Sequence, residues 1–388
     1  MEIAKLSKLI TPSGTMAISN KARVLREQGK PVIGFGAGEP DFPTPEYVIK
    51  DVQAAAEDTS NHKYSPVAGL TILKEEIVRT SELYSGINVK QENVLVSNGG
   101  KHAILTTFMS ILNPGDEVLI PSPYWTTYPE AVKISGGNPV IVDTEFDDDF
   151  KINTDQLDSL KTSKTKVLVW VSPSNPTGVV YTKEEAEKIY NWAFENNVWI
   201  LSDELYEHLV YEGITSPSPA QYDTELNNTI VINGVAKAYS MTGWRVGWII
   251  ANADVIDMAK KIQSHATSNV ANISQIAAYS ALKNGLDETK LMKESFNRRR
   301  LYAIEEFSNI ENINLIKSTG AFYLFPDVSY YSSNGVINGV HNSIDFCNWL
   351  LDEYFIAFVP GEVFGKNGFL RCSYALSDDD LHEGLSRF

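Results

Sequence analysis

Seven short apolar runs, rich in Val and Ile, recur between residues 93 and 252 and alternate with stretches of helical spacing. Such runs are typical of strands that are covered on both faces, and the alternation predicts a mainly parallel sheet with helices on its faces. The runs are NVLVSN, EVLIPS, NPVIVD, KVLVWVS, VWILSD, TIVING and VGWIIAN. The sequence therefore predicts an α/β fold around one large sheet.

The pattern changes after about residue 285, which indicates a second domain. A long polar helix, ETKLMKESFNRRRLYAIEEFSNI, precedes shorter predicted strands in AFYLFPDV, IAFVPG and FLRCSYA. A chain of 388 residues is also longer than one hydrophobic core usually supports. We expect a large domain at 46–285, a small α+β domain at 286–388, and an N-terminal arm at 1–45 that contributes to the small domain.

Composition argues against several classes of partner. The formal net charge of −16 disfavours nucleic acid and anionic membranes, since either partner requires a basic face. The only two cysteines are too few for a disulfide scaffold, and the scattered histidines form no HExxH motif, so no metal site is expected. No run has the length of a membrane span or the apolar core of a signal peptide, which predicts a cytoplasmic protein.

Polar residues and glycines follow directly on several of the predicted strands. They occupy 97–100, 172–178, 202–204 and 233–234. The carboxyl ends of parallel strands share one edge of an open sheet, and ligands bind at that edge. The sequence therefore predicts one cleft into which these four segments converge.

Lys237 lies just past the predicted strand TIVING, at this edge. Most lysines are solvated surface charges, but Met241 and Trp244 give this lysine apolar neighbours. Partial burial lowers the pKa of a lysine and makes its amine a nucleophile. Arg245, eight residues further on, can bind an anion in the same cleft through its two-pronged guanidinium.

The stretch NGVAKAYSMTGWRVG resembles the lysine segment of the fold-type I, class I aminotransferases that depend on pyridoxal 5'-phosphate. The resemblance continues in family order through AGEPDF, KYSPVAG, SNGGKHA, PSPYW, SPSNPTG, SDELYEHLVY and FLRCSYA, and covers nearly the whole chain. Within the family the chain is most similar to prokaryotic-type aspartate aminotransferases. The resemblance implies the fold-type I architecture, with a seven-stranded sheet, and pyridoxal phosphate as cofactor.

The resemblance implies which residues hold the cofactor aldehyde and phosphate. Lys237 binds the aldehyde covalently and later carries the proton that moves during the reaction. The N–H groups of Gly99, Gly100 and Lys101 open a helix, whose positive end suits a phosphate, and Arg245 adds a charge. By itself, the NGG sequence is also compatible with an ordinary turn at the start of a helix.

Four further residues are expected to surround the cofactor ring. The resemblance implies that Asp203 pairs with the ring nitrogen and that Tyr206 and Asn175 bond the ring hydroxyl oxygen. It also implies that Trp125 stacks on the ring and, like Asn175, contacts the substrate. From the residues alone, Asp203 can instead cap a helix beginning at Leu205, and Tyr206 and Trp125 can be ordinary core aromatics.

The resemblance also implies substrate contacts. Arg371 is expected to bind the α-carboxylate through two parallel hydrogen bonds, with Gly38 close to the same group, although a surface arginine is the alternative. Lys101 stands where prokaryotic-type relatives bind the distal carboxylate, with Thr15 assisting. Some relatives that accept prephenate carry a lysine where Thr11 aligns, which argues against prephenate here.

The expected activity is transfer of the amino group of aspartate to 2-oxoglutarate by a ping-pong mechanism. Alternatives within the same fold are an aromatic, kynurenine or alanine aminotransferase and a pyridoxal-phosphate lyase; a non-catalytic regulator is a further class.

Tyr64 is expected to reach the phosphate of a neighbouring subunit, which implies a homodimer with active sites at the interface. The partners are therefore small amino acids and 2-oxo acids.

Overall fold

The computed structural model describes residues 3–12, 14–333 and 335–388, without the side chains of residues 15–17. Its strands, numbered along the chain, are β1 (Ile33–Gly34), β2 (Val94–Ser97), β3 (Glu117–Ser122), β4 (Asn138–Asp143), β5 (Thr165–Val171), β6 (Trp199–Asp203), β7 (Thr229–Gly234), β8 (Gly247–Ile250), β9 (Tyr323–Leu324), β10 (Ile356–Ala357), β11 (Val359–Pro360) and β12 (Leu370–Ser373).

The α-helices are numbered in the same way. They are α1 (Gly14–Glu27), α2 (Glu46–Glu57), α3 (Thr71–Ser85), α4 (Gly100–Ile111), α5 (Thr127–Ile134), α6 (Thr154–Leu160), α7 (Lys183–Glu195), α8 (Ala253–Ala266), α9 (Asn272–Lys283), α10 (Asp287–Ser308), α11 (Ser329–Ser333), α12 (Ser343–Tyr354) and α13 (Asp378–Ser386). Within the described ranges, no helix combines the length and the apolar character needed to cross a membrane.

Seven strands form the large sheet in the order β2-β8-β7-β6-β5-β3-β4. All pairs are parallel except those of β8, which runs antiparallel to both β2 and β7. Each of the seven apolar runs coincides with one of these strands to within two residues at either end, so the predicted sheet is confirmed. The central strands are covered on both faces, and all six residues of β7 are buried.

Alternate residues of the strands pack in opposite directions, as the twofold period of a strand requires. Val167 and Val169 of β5 join the cluster that contains Ile104 of α4, on one face of the sheet. Leu168 packs with Ile189 of α7 on the other face. This double covering explains why the runs read as continuously apolar rather than alternating.

The C-terminal part of the chain forms two smaller sheets. Strands β11, β12 and β9 are antiparallel, and β1 pairs in parallel with β10, which ties residues 33–34 to residues 356–357. The three predicted C-terminal strand segments are confirmed, and the core here includes Phe296 of α10 and Phe346 of α12. The domain boundaries near residues 45 and 285 stay a prediction.

Candidate active site

A cavity of about 730 Å³ opens at the carboxyl ends of β2, β5, β6 and β7, where the polar segments were expected to converge. Part of its wall comes from β9, β12 and the segment after β1. Ten of the predicted site residues line it: Gly38, Gly100, Lys101, Trp125, Asn175, Asp203, Tyr206, Lys237, Arg245 and Arg371. Residues that are far apart in the sequence therefore share one site.

Lys237 reaches this cavity from the turn that follows β7. Its amine donates a hydrogen bond to the carbonyl oxygen of Gly38 and lies 5.6 Å from the ring centroid of Tyr206. Burial lowers the pKa of the amine to about 8, and the positive charge of Arg371 acts in the same direction. The side chain is half-buried and lines the cavity, so Lys237 is not a fully solvated surface lysine.

Asp203 is the last residue of β6, and its side chain is buried. The Tyr128 hydroxyl donates to its Oδ2 at 2.7 Å, and the Leu205 N–H donates to its Oδ1 at 3.3 Å. Burial raises the pKa of the carboxyl, whereas the Tyr128 hydroxyl, the Leu205 N–H and the nearby Lys237 oppose that rise. The carboxyl is placed to hold a proton or a cationic group inside the cavity.

The helix expected to begin at Leu205 is absent, and residues 205–208 form a turn. The Leu209 N–H bonds back to the Tyr206 carbonyl, and Val210 then pairs with Gly320 in an isolated antiparallel bridge. The prediction of a capped helix was wrong because this long-range pairing extends the chain immediately after the turn.

A tight turn precedes α4 at one end of the cavity. Gly99 has φ +82°, and a Cβ there would lie 2.5 Å from Nη2 of Arg245. The backbone conformation therefore favours glycine, and a Cβ would displace the guanidinium. The Gly99 N–H is bonded to the Ser97 carbonyl, so the donors that α4 itself leaves unpaired start at Gly100 rather than at Gly99 as expected.

Arg371 lies on β12 with its side chain buried. Its Nη1 donates to Oδ1 of Asn175 and its Nη2 to the carbonyl of Gly36, each at 2.9 Å. Its Nε is buried and has no hydrogen-bond partner among the described residues. The alternative of a surface arginine is wrong, and the guanidinium is held with donors to spare at the cavity wall.

Two of the predicted residues, Gly99 and Tyr64, are not among the described residues that line the cavity. Gly99 lies behind Arg245. Tyr64 is 91% exposed in the single chain. The side chain of Thr15 is outside the described residues.

Two tyrosines of the site were missed by the sequence analysis. Tyr128 follows Trp125 by three residues, and this spacing was a local hint that both face the same way. Tyr323 bonds the Tyr206 hydroxyl through its own hydroxyl at 2.8 Å, from 117 positions away. No local pattern signals such a partner.

The charge of the cavity is opposite to the charge of the chain. Its lining includes five cationic side chains, Arg26, Lys101, Lys237, Arg245 and Arg371, against the carboxyl groups of Glu39 and Asp203. Burial, and secondarily the charge of Arg245, lowers the pKa of Lys101. A cleft lined by one sign of charge concentrates ligands of the other sign, so this site favours anions even though the net charge is −16.

The site combines an amine of lowered pKa, a buried carboxyl and a cationic lining at the carboxyl edge of an α/β sheet. These groups define an enzyme site for an aldehyde cofactor and anionic substrates. Comparison with known proteins identifies the family. The chain belongs to the class I and II aminotransferases, since residues 30–388 match the sequence model of that family.

Individual relatives span almost the whole chain. An aspartate aminotransferase from Streptomyces avermitilis is 47% identical over 97% of this chain and 93% of that protein. An aspartate/prephenate aminotransferase from Cereibacter sphaeroides is 39% identical over 97% of this chain and 95% of that protein. The structure of aspartate aminotransferase from Thermus thermophilus with maleate has a TM-score of 0.94 at 35% identity, over 100% of this chain and 99% of that one.

Aminotransferases of this family depend on pyridoxal phosphate, and the residues of the cavity fit that group. The amine of Lys237 suits the aldehyde, and the buried carboxyl of Asp203 suits the ring nitrogen. The guanidinium of Arg245 lies against Gly99 at the start of α4, in the space that a Cβ of Gly99 would need. This guanidinium and the positive end of the helix suit a phosphate. The donor set therefore matches the three polar ends of the cofactor.

Proposed function

We propose that this aminotransferase moves the amino group of aspartate to 2-oxoglutarate, which yields oxaloacetate and glutamate, by a ping-pong mechanism. The observation that carries the proposal is the grouping of three side chains in one cavity: the amine of Lys237, the carboxyl of Asp203 and the buried guanidinium of Arg371. The first two serve the cofactor and the third serves the α-carboxylate of the amino acid.

When bound, pyridoxal phosphate supplies an electron sink for the bond that breaks at the Cα of the amino acid. On the protein side, Asp203 would keep a proton on the ring nitrogen, while Tyr206 and Asn175 would hold the ring hydroxyl oxygen. Gly100 and Lys101 offer backbone N–H groups at the start of α4, and Arg245 offers a guanidinium for the phosphate. Trp125 provides an aromatic face.

Lys237 has two tasks in this proposal. With a pKa of about 8, roughly a tenth of the amine is unprotonated at pH 7, far more than for a solvated lysine. The unprotonated Nζ would hold the cofactor aldehyde covalently, with loss of water. When it is free, the same Nζ would act as the base that moves the proton at the substrate Cα.

Two cationic side chains select the substrate. Arg371 is fixed by Asn175 and Gly36, and its remaining donors are free to bind the α-carboxylate near Gly38. The amine of Lys101 lies 5.1 Å from the ring centroid of Trp125 and lines the same cavity, where it would bind the distal carboxylate. The relative that has been solved with maleate, a dicarboxylate, supports a site for two carboxylates.

Prephenate is left out of the proposed substrates. Thr11, which aligns with a lysine in some relatives that accept prephenate, donates from both its N–H and its hydroxyl to the carboxylate of Glu130. The position therefore supplies no positive charge. Thr15 is kept as an assisting residue on the basis of the resemblance alone.

We also propose a cytoplasmic homodimer. Tyr64 is 91% exposed and lies away from the cavity of its own chain, which fits a side chain that acts in the site of a neighbouring subunit. Size-exclusion chromatography with light scattering tests this part, and a monomer with full activity would contradict it.

The proposed activity is tested by the visible spectrum of the cofactor-loaded protein. Aspartate should bleach the absorption of the bound aldehyde form without any acceptor, and 2-oxoglutarate should restore it while glutamate appears. Lys237→Ala should lose the turnover by several orders of magnitude, because both the nucleophile and the base are removed. Turnover of aspartate without an oxo acid would instead indicate a lyase, and preference for phenylpyruvate would indicate an aromatic aminotransferase.

A further inference from the structure

We propose that Tyr323 is a positioning residue that joins the cofactor side of the site to the substrate side. Its hydroxyl orients the hydroxyl of Tyr206, and its ring supports the guanidinium of Arg371. The inference rests on the proposed function, to which it adds the residue that sets the relative placement of these two groups.

The first contact is between two hydroxyls. The oxygen atoms of Tyr323 and Tyr206 are 2.8 Å apart, and both side chains are buried. Burial raises the pKa of each hydroxyl, so both keep their protons near neutral pH. A hydroxyl has a single proton to donate. Tyr206 can therefore donate to the ring oxygen of a bound cofactor only if Tyr323 is the donor between the two tyrosines.

The second contact is between a ring and a guanidinium. The guanidinium carbon of Arg371 lies 4.5 Å from the ring centroid of Tyr323 and 5.0 Å from that of Phe364. Hydrogen bonds to Asn175 and Gly36 hold two of its nitrogens, and its Nε has no partner in the part of the chain that the structure describes. The rings therefore act together with these two bonds to hold the plane in which the free donors of Arg371 face a carboxylate.

Packing alone does not account for a tyrosine at this position. The neighbouring side chains Phe322 and Leu324 are fully buried and apolar, so a phenylalanine would satisfy the core equally well. The Tyr323 hydroxyl faces the cavity instead, where a Cβ on Gly38 would lie 3.4 Å from it. A buried hydroxyl is costly unless it is bonded, and here its partner is Tyr206.

The test separates the hydroxyl from the ring. Tyr323→Phe removes the donor and keeps the ring, so Tyr206 should bond the cofactor oxygen less strongly. The pH midpoint of the visible absorption change of the bound cofactor should rise by about half a unit, since a net hydrogen bond corresponds to about one unit or less. The KM for aspartate should change less than about twofold.

Tyr323→Leu removes the ring as well. The KM for aspartate should then rise by about tenfold, because a desolvated contact between a cation and a ring is worth on the order of one such factor. Tyr374→Phe and Tyr374→Leu are the matched controls, since Tyr374 is a buried tyrosine of the same core that does not line the cavity. They should change neither the midpoint nor the KM.

A double-mutant cycle keeps the test decisive even if the leucine variants do not fold. Tyr206→Phe should raise the midpoint, and adding Tyr323→Phe should raise it no further, because Tyr323 acts through Tyr206. An unchanged midpoint in Tyr323→Phe, or an additive shift in the double variant, overturns the inference. The wild-type protein separates the proposed aspartate transamination from the proposed role of Tyr323. If it binds pyridoxal phosphate but does not transaminate aspartate, the proposed function fails. The comparison of pH midpoints between wild type and Tyr323→Phe then still tests the role of Tyr323.

Discussion

Replacing Lys101 by methionine should convert a dicarboxylate-specific site into one that no longer distinguishes aspartate from alanine. Methionine keeps the length of the side chain and suits the first turn of α4, so the fold should tolerate it. What is lost is a positive charge on an exposed side chain that lines the cavity, and burial first and Arg245 second lower the pKa of its amine. Such an ammonium gains from an anionic partner.

The magnitude follows from the contact that is lost. Two unit charges about 4 Å apart attract each other by about 4 kcal/mol at an effective dielectric of 20, and desolvation reduces this gain. A hydrogen bond to a charged group is worth about 1.5–3 kcal/mol net, and 1.4 kcal/mol corresponds to a tenfold change. Lys101→Met should therefore lower kcat/KM for aspartate by about 10- to 100-fold and leave kcat/KM for alanine within about twofold.

Stopped-flow absorbance of the half-reaction is the appropriate assay, because no acceptor with its own distal carboxylate is present. Lys188→Met is the matched control, since Lys188 is an exposed lysine on α7 outside the cavity. Equal losses with aspartate and alanine would mean that Lys101 supports the site generally. No loss with either would place the distal carboxylate elsewhere.

Three further predictions concern the cofactor side. Gly99→Ala should weaken pyridoxal phosphate binding at least about tenfold in a spectral titration, because its Cβ would strike the guanidinium of Arg245 as well as strain the backbone. Gly115→Ala is the control: Gly115 has φ +89° and nothing within 4 Å, so this variant should share the backbone strain but keep wild-type affinity. Equal affinities of the two variants would refute the clash. The rate at which pyridoxal phosphate reacts with Lys237 should rise with pH to a midpoint near 8, because a lowered pKa frees the amine earlier, and a midpoint above 10 would show a solvated lysine. Tyr128→Phe removes a hydrogen-bond donor that lowers the pKa of Asp203, so that pKa should rise. The acid limb of the pH profile of the half-reaction rate should then move to higher pH by up to about one unit. An acid limb at the wild-type position would show that the Tyr128 hydroxyl has no influence.

The large sheet was predictable because its signal is local. Runs such as TIVING and VWILSD have the length and the β-branched content of buried strands, and each contains a strand of the sheet. The position of Lys237 at the functional edge followed from the same reasoning, since the carboxyl ends of parallel strands meet there. The roles proposed for Asp203 and Arg371 needed the family resemblance in addition.

The turn at residues 205–208 shows where local reasoning ended. An aspartate followed by residues compatible with a helix predicts a capped helix, yet Val210 pairs with Gly320, more than one hundred residues away. That pairing holds the chain in an extended course that no local propensity indicates. The same limitation explains why the contact between Tyr206 and Tyr323 was missed.

The sequence by itself determined which segments form the large sheet and which edge of it carries the reactive groups, because strand periodicity and the residues that follow each strand are properties of neighbouring positions. The tertiary structure alone decided how those groups act on one another. The lowered pKa of Lys237, the hydroxyl of Tyr128 on Asp203 and the contacts of the Arg371 guanidinium with Asn175 and Gly36 depend on burial and on atoms brought together from distant parts of the chain. Solvation and hydrogen bonding are set by the surroundings in space, and a linear sequence does not contain those surroundings.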